Sequence, residues 1–168
     1  MPTILEYALM AGRSYIDTRP DLNQFPVPVG WTEFFHVPNE TFPLDSGFEA
    51  IAFQRGNEIV ISYAGTYDKP LFPNPDIQAD LALGTGWGSK QLDQAADYFL
   101  RIRAANPTAQ ITLSGHSLGG GLASLVAVFF GVPAWTFDQA PFARSAKSGL
   151  PVRRRHEPHL ERTPGKRL

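Results

Sequence analysis

The chain of 168 residues contains no cysteine, which excludes disulfide bonds, thiolate metal sites and a cysteine nucleophile. This absence does not identify the cellular compartment, because a chain without cysteine folds in either redox setting. Charged residues are scarce at 18%, and the longest apolar run, residues 122–130, is much shorter than a membrane span. The hydrophobic fraction of 43% is sufficient for the core of one globular domain.

The N-terminal residues 1–15 lack a basic start, and Glu6 interrupts their apolar positions, so they do not predict a Sec signal peptide. The location is therefore undecided between the cytoplasm and secretion by another route. The four histidines do not pair with carboxylates at ligand spacing, except near the end of the chain. We expect neither a metal nor a cofactor.

The charges divide sharply near residue 143. Residues 1–143 hold seven Lys and Arg against fourteen Asp and Glu, whereas residues 144–168 hold eight against two. The second segment also contains none of the 20 Phe, Trp and Tyr residues of the chain. A charged segment without aromatics buries little apolar surface, so we expect one domain over residues 1–143 and a basic, disordered tail over residues 144–168.

Local sequence patterns predict strands that alternate with helices. Thr3 and Glu6 form a capping box for a short N-terminal helix, and residues 17–46, rich in Pro, Asn and Asp, predict a loop. Residues 48–66 predict a β-hairpin with a buried second strand. Helices between the later strands imply a mostly parallel sheet. We expect a loop at residues 67–88, a helix from Ser89 to about residue 105, a strand at 110–114, a helix at 118–130 and a strand at 134–137.

A serine lies between glycines where a predicted strand meets a predicted helix, in the sequence GHSLG of residues 115–119. The pattern alone is unspecific, but its place before a helix of small residues is typical of a nucleophile elbow. Such a turn lifts the hydroxyl clear of the sheet and directs the next N–H at a developing oxyanion. We therefore interpret Ser117 as a nucleophile and the N–H of Leu118 as an oxyanion donor.

Two other interpretations of this turn stay open. One is a glycine-rich turn with an incidental serine, and the other is a phosphate-binding loop, although the lysine of that motif is missing. Adjacent side chains diverge at an elbow, so we expect His116 to pack or hydrogen-bond beside the turn rather than to serve as the base.

The sequence GHSLGGGLASL, together with YAGT at residues 63–66, resembles the class 3 lipases, which are α/β-hydrolases that act on lipid and other carboxylic esters. The resemblance covers about residues 45–143. It implies a partial α/β-hydrolase fold, with a mostly parallel central sheet and flanking helices. It also implies that Thr66 supplies the second oxyanion contact, while Ala64 replaces the arginine of the family motif. The alternative for Thr66 is an ordinary strand end.

The resemblance further implies a lid over residues 67–88. A plain surface connection is the alternative for this segment. The side chains that would face lipid are Leu71, Phe72, Ile77 and Leu81.

A serine nucleophile needs a histidine base and an acid, which follow it in the order acid, then histidine, in α/β-hydrolases. Asp138, just past the last predicted strand, is the candidate acid, or it caps a loop. The downstream histidines are His156 and His159, both in the tail, where no strand fixes their position. His36 lies upstream and breaks the order.

The simplest account is that residues 1–143 are an incomplete hydrolase domain, cut before the strands that carry the acid and the histidine. The tail would then be foreign to the domain. Missing strands would leave an unpaired sheet edge, so we expect self-association through that edge.

The leading functional interpretation is a serine hydrolase of carboxylic esters, that is, a lipase or esterase. Its expected partner is an ester or lipid substrate, which a lipase can bind at a lipid–water interface. One alternative is a catalytically incomplete remnant that binds lipid or acyl chains. Another places function in the basic tail, at Arg153 to Arg155 and at Lys166 and Arg167, with nucleic acid or anionic membrane as partner. No aromatic side chain is interleaved there to stack on bases, so nucleic acid is not expected.

Overall fold

The computed structural model describes residues 1–16, 24–37, 48–65 and 87–139, with the backbone alone for residues 87–89. None of the helices in these ranges is both long and apolar enough to cross a bilayer. The elements follow the order α1 (Ile4–Arg13), β1 (Thr32–Val37), β2 (Ala50–Arg55), β3 (Glu58–Tyr63), α2 (Trp87–Ala105), β4 (Gln110–His116), α3 (Leu118–Phe130) and β5 (Ala134–Phe137).

The five strands form one sheet in the order β1-β2-β3-β4-β5. The pairs β1–β2 and β2–β3 are antiparallel, and the pairs β3–β4 and β4–β5 are parallel. The α/β-hydrolase class predicted from the sequence is confirmed, in a sheet that is half parallel and half antiparallel. In the parallel half, β3, β4 and β5 all end at the same edge of the sheet, and that edge carries the candidate site.

The β2–β3 hairpin occupies the middle of the sheet, and its second strand is covered on both faces. Ile59 and Ile61 join the core beneath α2 and α3, whereas Val60 points to the opposite face, where Tyr7 and Met10 of α1 cover it. Because successive side chains of a strand alternate between faces, a strand covered on both sides is apolar at every position. This burial explains the unbroken apolar run of the sequence.

Strand β1 lies within residues 17–46, so the loop prediction for that stretch was wrong at Thr32–Val37. Within the described sheet this strand pairs with β2 alone, and its register shifts between Glu33 and Phe35. A half-exposed edge strand with a bulge shows no clean alternation of polar and apolar residues, and for this reason its sequence resembles a loop. Helix α2 also begins earlier than predicted, at Trp87, so residues 87 and 88 of the expected lid segment are helical.

The carboxylate of Glu6 joins the start of α1 to the hairpin. It accepts hydrogen bonds from Thr3 N at 2.6 Å, Trp31 Nε1 at 2.9 Å and Arg55 Nη1 at 2.7 Å, and Thr3 Oγ1 completes the predicted capping box. The guanidinium of Arg55 also lies 4.4 Å from the centre of the Trp31 ring. The backbone N–H of Thr3, with further help from Trp31 and Arg55, lowers the pKa of Glu6 from 4.5 to about 2.

Replacing Glu6 by Gln removes this carboxylate, and we expect the free energy of unfolding at neutral pH to fall by about 1–3 kcal/mol. The pKa of Glu6 is lower in the folded chain, so its ionised form stabilises the fold above pH 4.5, and this stabilisation disappears as the pH falls toward about 2. The difference between wild type and Glu6→Gln should therefore shrink across that interval. Urea titrations at several pH values measure it.

Asp97→Asn, on the exposed face of α2, is the matched control. Its effect should remain within about 0.5 kcal/mol. A stability difference between wild type and Glu6→Gln that stays constant on acidification would contradict the assignment.

Candidate active site

Ser117 occupies the turn between the end of β4 and the first residue of α3, with φ 54° and ψ −125°. A positive φ is rare for a residue with a side chain, and it strains the backbone by about 1–3 kcal/mol. The side chain is half-buried and makes no capping hydrogen bond to α3. The hydroxyl is therefore held at the edge of the sheet without being used to stabilise its own helix.

Backbone hydrogen bonds on both sides fix the turn. Ser117 N donates to Phe137 O at the end of β5 over 3.1 Å, and Gly121 N donates to Ser117 O over 3.2 Å. The first bond extends the β4–β5 pairing one residue beyond the strand, and the second starts α3. The serine thus belongs to both elements, which is the arrangement that a strand-to-helix elbow requires.

The glycines on either side of Ser117 are required by close backbone contacts. A Cβ at Gly119 would lie 2.7 Å from the carbonyl carbon of Ala64, and a Cβ at Gly115 would lie 2.8 Å from Gly120 N. Real Cβ atoms do not approach backbone this closely. The first turn of α3 therefore lies directly on the ends of β3 and β4.

The N–H of Leu118 is in the first turn of α3, where helical N–H groups have no partner within the helix and the helix dipole is positive. Gly65, just beyond β3, lies beside it: a Cβ there would be 3.3 Å from Leu118 N. The chain thus leaves β3 beside the elbow, as far as Gly65. Thr66 itself lies outside the described residues, and its oxyanion role stays a prediction.

The tyrosine of the YAGT sequence has a structural place. Burial raises the pKa of Tyr63 well above 10, so its hydroxyl stays protonated, and it donates to Ala95 O over 3.0 Å. This bond joins β3 to α2 at the level of the site. Strand β3, which leads into Gly65, is therefore held by α2 on the face of the sheet opposite to α1.

Asp138 follows β5 with φ 44° and an exposed side chain. Since His116 pairs with Phe137, the next residue on each strand, Ser117 and Asp138, lies at the same edge of the sheet. Sequence reasoning missed the neighbouring Gln139, whose Oε1 accepts from Ser124 Oγ at 2.6 Å and Thr136 Oγ1 at 2.9 Å. These bonds tie the segment after β5 to α3. The catalytic role of Asp138 stays a prediction.

The histidines take different places. His116 Nδ1 lies 3.1 Å from the hydroxyl of Tyr15, in agreement with the expected hydrogen-bonding place beside the turn. His36 is on β1, separated from β4 by two strands, and its Nε2 lies 3.9 Å from the buried carboxylate of Glu49. The candidate bases His156 and His159 lie outside the described residues, as do residues 66–86 of the expected oxyanion and lid segments. Within the described ranges, no three His, Asp or Glu side chains are grouped to hold a metal ion.

A serine elbow at the edge where the parallel strands end, in a sheet covered by helices on both faces, defines the α/β-hydrolase class to which lipases belong. The chain belongs, within the phospholipase-like group, to the Tle-like phospholipase domain family, whose model matches residues 6–156. The resemblance to lipases is thereby confirmed. The match continues past residue 143, the boundary predicted from charge and aromatic content.

Known relatives and structures agree with this family. Over 95 residues the chain is 35% identical to the extracellular phospholipase A1 of Serratia liquefaciens, a match that covers 56% of the chain and 28% of that protein. The fold is similar to lipase II from Rhizopus niveus, with TM-score 0.56 and 17% identity over 86% of the chain and 66% of the lipase. It is also similar to Lip2 lipase from Yarrowia lipolytica, with TM-score 0.52 and 16% identity over 80% of the chain and 56% of Lip2. The chain thus spans between a quarter and two thirds of the length of these proteins.

We predict that Gly119→Ala destabilises the chain by about 3 kcal/mol or more, because its methyl group would strike the backbone of β3. Gly120→Ala is the matched control in the same helical turn. Its methyl group would have Gly115 O at 3.2 Å as the nearest atom, a contact that small shifts relieve. The loss there should be about 1 kcal/mol or less. Urea unfolding midpoints measure both, and equal midpoints would refute the close packing.

Proposed function

We propose that the chain hydrolyses carboxylic ester bonds of lipids, with Ser117 as the nucleophile. The observation that carries the proposal is the positive φ of a half-buried serine at the first turn of α3, beside the N–H of Leu118. The family and the phospholipase A1 of Serratia liquefaciens support phospholipids as the first substrate class to test. The fungal lipase structures support the fold on which such chemistry takes place.

In the proposed reaction, Ser117 Oγ attacks the ester carbonyl carbon while a histidine accepts the hydroxyl proton. The carbonyl oxygen becomes an oxyanion that accepts hydrogen bonds from Leu118 N–H and from Thr66. The ester C–O bond then breaks, and the histidine returns the proton to the departing alcohol. Water attacks the acyl-serine by the same steps and releases the fatty acid.

Asp138 is the proposed acid, and His156 or His159 is the proposed base. The position of Asp138, one residue after the strand that pairs with the elbow strand, supports its assignment. The family match includes both Asp138 and His156. Substrate capture at a lipid–water interface, with residues 67–86 of the expected lid segment as a lid, and self-association through a sheet edge belong to the same proposal.

Ser117→Ala should abolish covalent labelling by a fluorophosphonate probe and hydrolysis of phospholipid acyl esters, because it removes the attacking oxygen. Ser62→Ala is the matched control: Ser62 is a fully buried serine of β3 whose hydroxyl has no hydrogen-bond partner in the described part of the chain. It should label and turn over like wild type. Gel fluorescence and release of fatty acid measure the two reactions.

Labelling of Ser117→Ala at the wild-type rate would exclude Ser117 as the nucleophile. A wild-type chain that binds fatty acid but neither takes the label nor releases product would instead support the acyl-binding alternative.

Asp138→Asn should lower kcat by about 10³- to 10⁴-fold with little change in KM, because the histidine would lose its orientation and counter-charge. We expect a comparable loss in one of the two variants His156→Gln and His159→Gln, with near wild-type activity in the other. Steady-state kinetics on a soluble short-chain ester measure these effects. Full activity in both histidine variants would place the base elsewhere.

A further inference from the structure

We propose that Tyr15 is a positioning residue for the elbow: its hydroxyl holds the peptide group that precedes Ser117 and keeps the serine in its strained conformation. This inference rests on the proposed function of Ser117 and adds a support residue from the other end of the chain. Tyr15 lies two residues after the end of α1 and is 4% exposed.

The hydroxyl of Tyr15 makes two contacts with His116. It donates to the backbone carbonyl oxygen of His116 over 3.1 Å, and it lies 3.1 Å from the Nδ1 atom of the same residue. The two rings meet edge to face with centroids 6.1 Å apart. A single side chain thus contacts both the backbone and the imidazole of the residue before the nucleophile.

The hydrogen bond to the carbonyl oxygen implies a particular arrangement of protons at these atoms. A carbonyl oxygen only accepts, so the single hydroxyl hydrogen of Tyr15 points to it, and the hydroxyl oxygen is left to accept from Nδ1–H of His116. The proposal therefore requires that the imidazole of His116, in its neutral form, carry its proton on Nδ1 rather than on Nε2. This tautomer is a signature of the hydroxyl orientation that the proposal requires.

The peptide group between His116 and Ser117 is clamped at both polar atoms. Tyr15 holds its carbonyl oxygen, and Phe137 O accepts from its N–H over 3.1 Å. Turning this peptide to relax the φ of Ser117 would break both bonds. Strained conformations persist only where the surroundings over-determine them, and these two bonds supply that restraint.

The same hydroxyl lies against the strand end that leads to Thr66. A Cβ at Gly65 would be 2.7 Å from Tyr15 Oη, so only a glycine at this position leaves enough space for the hydroxyl. Tyr15 therefore lies against both chain segments that meet at the elbow, the end of β4 and Gly65 just beyond β3. Its hydroxyl is placed to keep them in register.

Helix α1, which leads to Tyr15, is anchored to the sheet by its own contacts. Tyr7, two turns earlier, stacks on Trp135 of β5 with centroids 4.3 Å apart, and its hydroxyl donates to Thr112 Oγ1 over 3.0 Å. Ser14, just before Tyr15, is buried and donates to Ala11 O. Tyr7, on α1 itself, is likewise a phenolic hydrogen-bond donor to β4, at a distance from the elbow.

The test compares Tyr15→Phe with Tyr7→Phe, each of which removes one hydroxyl and keeps the ring. Tyr15→Phe should slow fluorophosphonate labelling of Ser117 about tenfold and lower kcat about as much with KM unchanged. Tyr7→Phe should label within about twofold of wild type, even where the two variants lose similar thermal stability. Equal labelling rates for wild type and Tyr15→Phe would overturn the proposal.

The imidazole of His116 gives a readout that does not depend on catalysis. Two-bond ¹H–¹⁵N correlation spectra of the wild-type chain, with the His116 signals assigned by their loss in His116→Asn, should show the Nδ1–H tautomer. An Nε2–H tautomer would mean that Tyr15 donates to the ring instead of the carbonyl, and would refute the clamp. If the wild-type chain takes no label, the proposed function fails, and this tautomer alone decides the role of Tyr15.

Discussion

The close contact of the first turn of α3 with the ends of β3 and β4 is the constraint on which the rest of the site depends. Glycine at positions 115 and 119 allows backbone to lie against backbone, and Ser117 must then turn with φ 54° to connect the strand to the helix. The strain of that turn is balanced by hydrogen bonds from neighbouring elements. Geometry that would be unstable in an isolated peptide is thereby maintained at one edge of the sheet.

The parallel and antiparallel halves of the sheet have different roles. The parallel strands β3, β4 and β5 bring their ends together and place Gly65, Ser117 and Asp138 along one edge. The antiparallel strands β1 and β2 extend the core, and the Glu6 cluster fastens α1 across the hairpin. The antiparallel half, which has no proposed chemistry, therefore supports the half that carries the candidate site.

Local chemical signals in the sequence are sufficient for the elbow and its flanking elements. The bounds of α3 and β5 agree with prediction because Gly131 and Pro133 end the helix and the glycines begin it. Strand β1 was missed because an edge strand with a bulge lacks periodic burial. Tyr15 and Gln139 were missed for another reason: their partners lie on other elements, and a side chain that acts across the fold leaves no pattern around its own position.

The contact between Tyr15 and His116 spans 101 residues of chain. Closing so long a loop comes late in folding, after local helices and the hairpin have formed. The proposed nucleophile would therefore acquire its support only when the first helix docks on a nearly finished sheet. Under this order of events, Ser117 of a nascent or partly unfolded chain lacks this support, and the proposed reactivity toward esters is acquired together with the native fold.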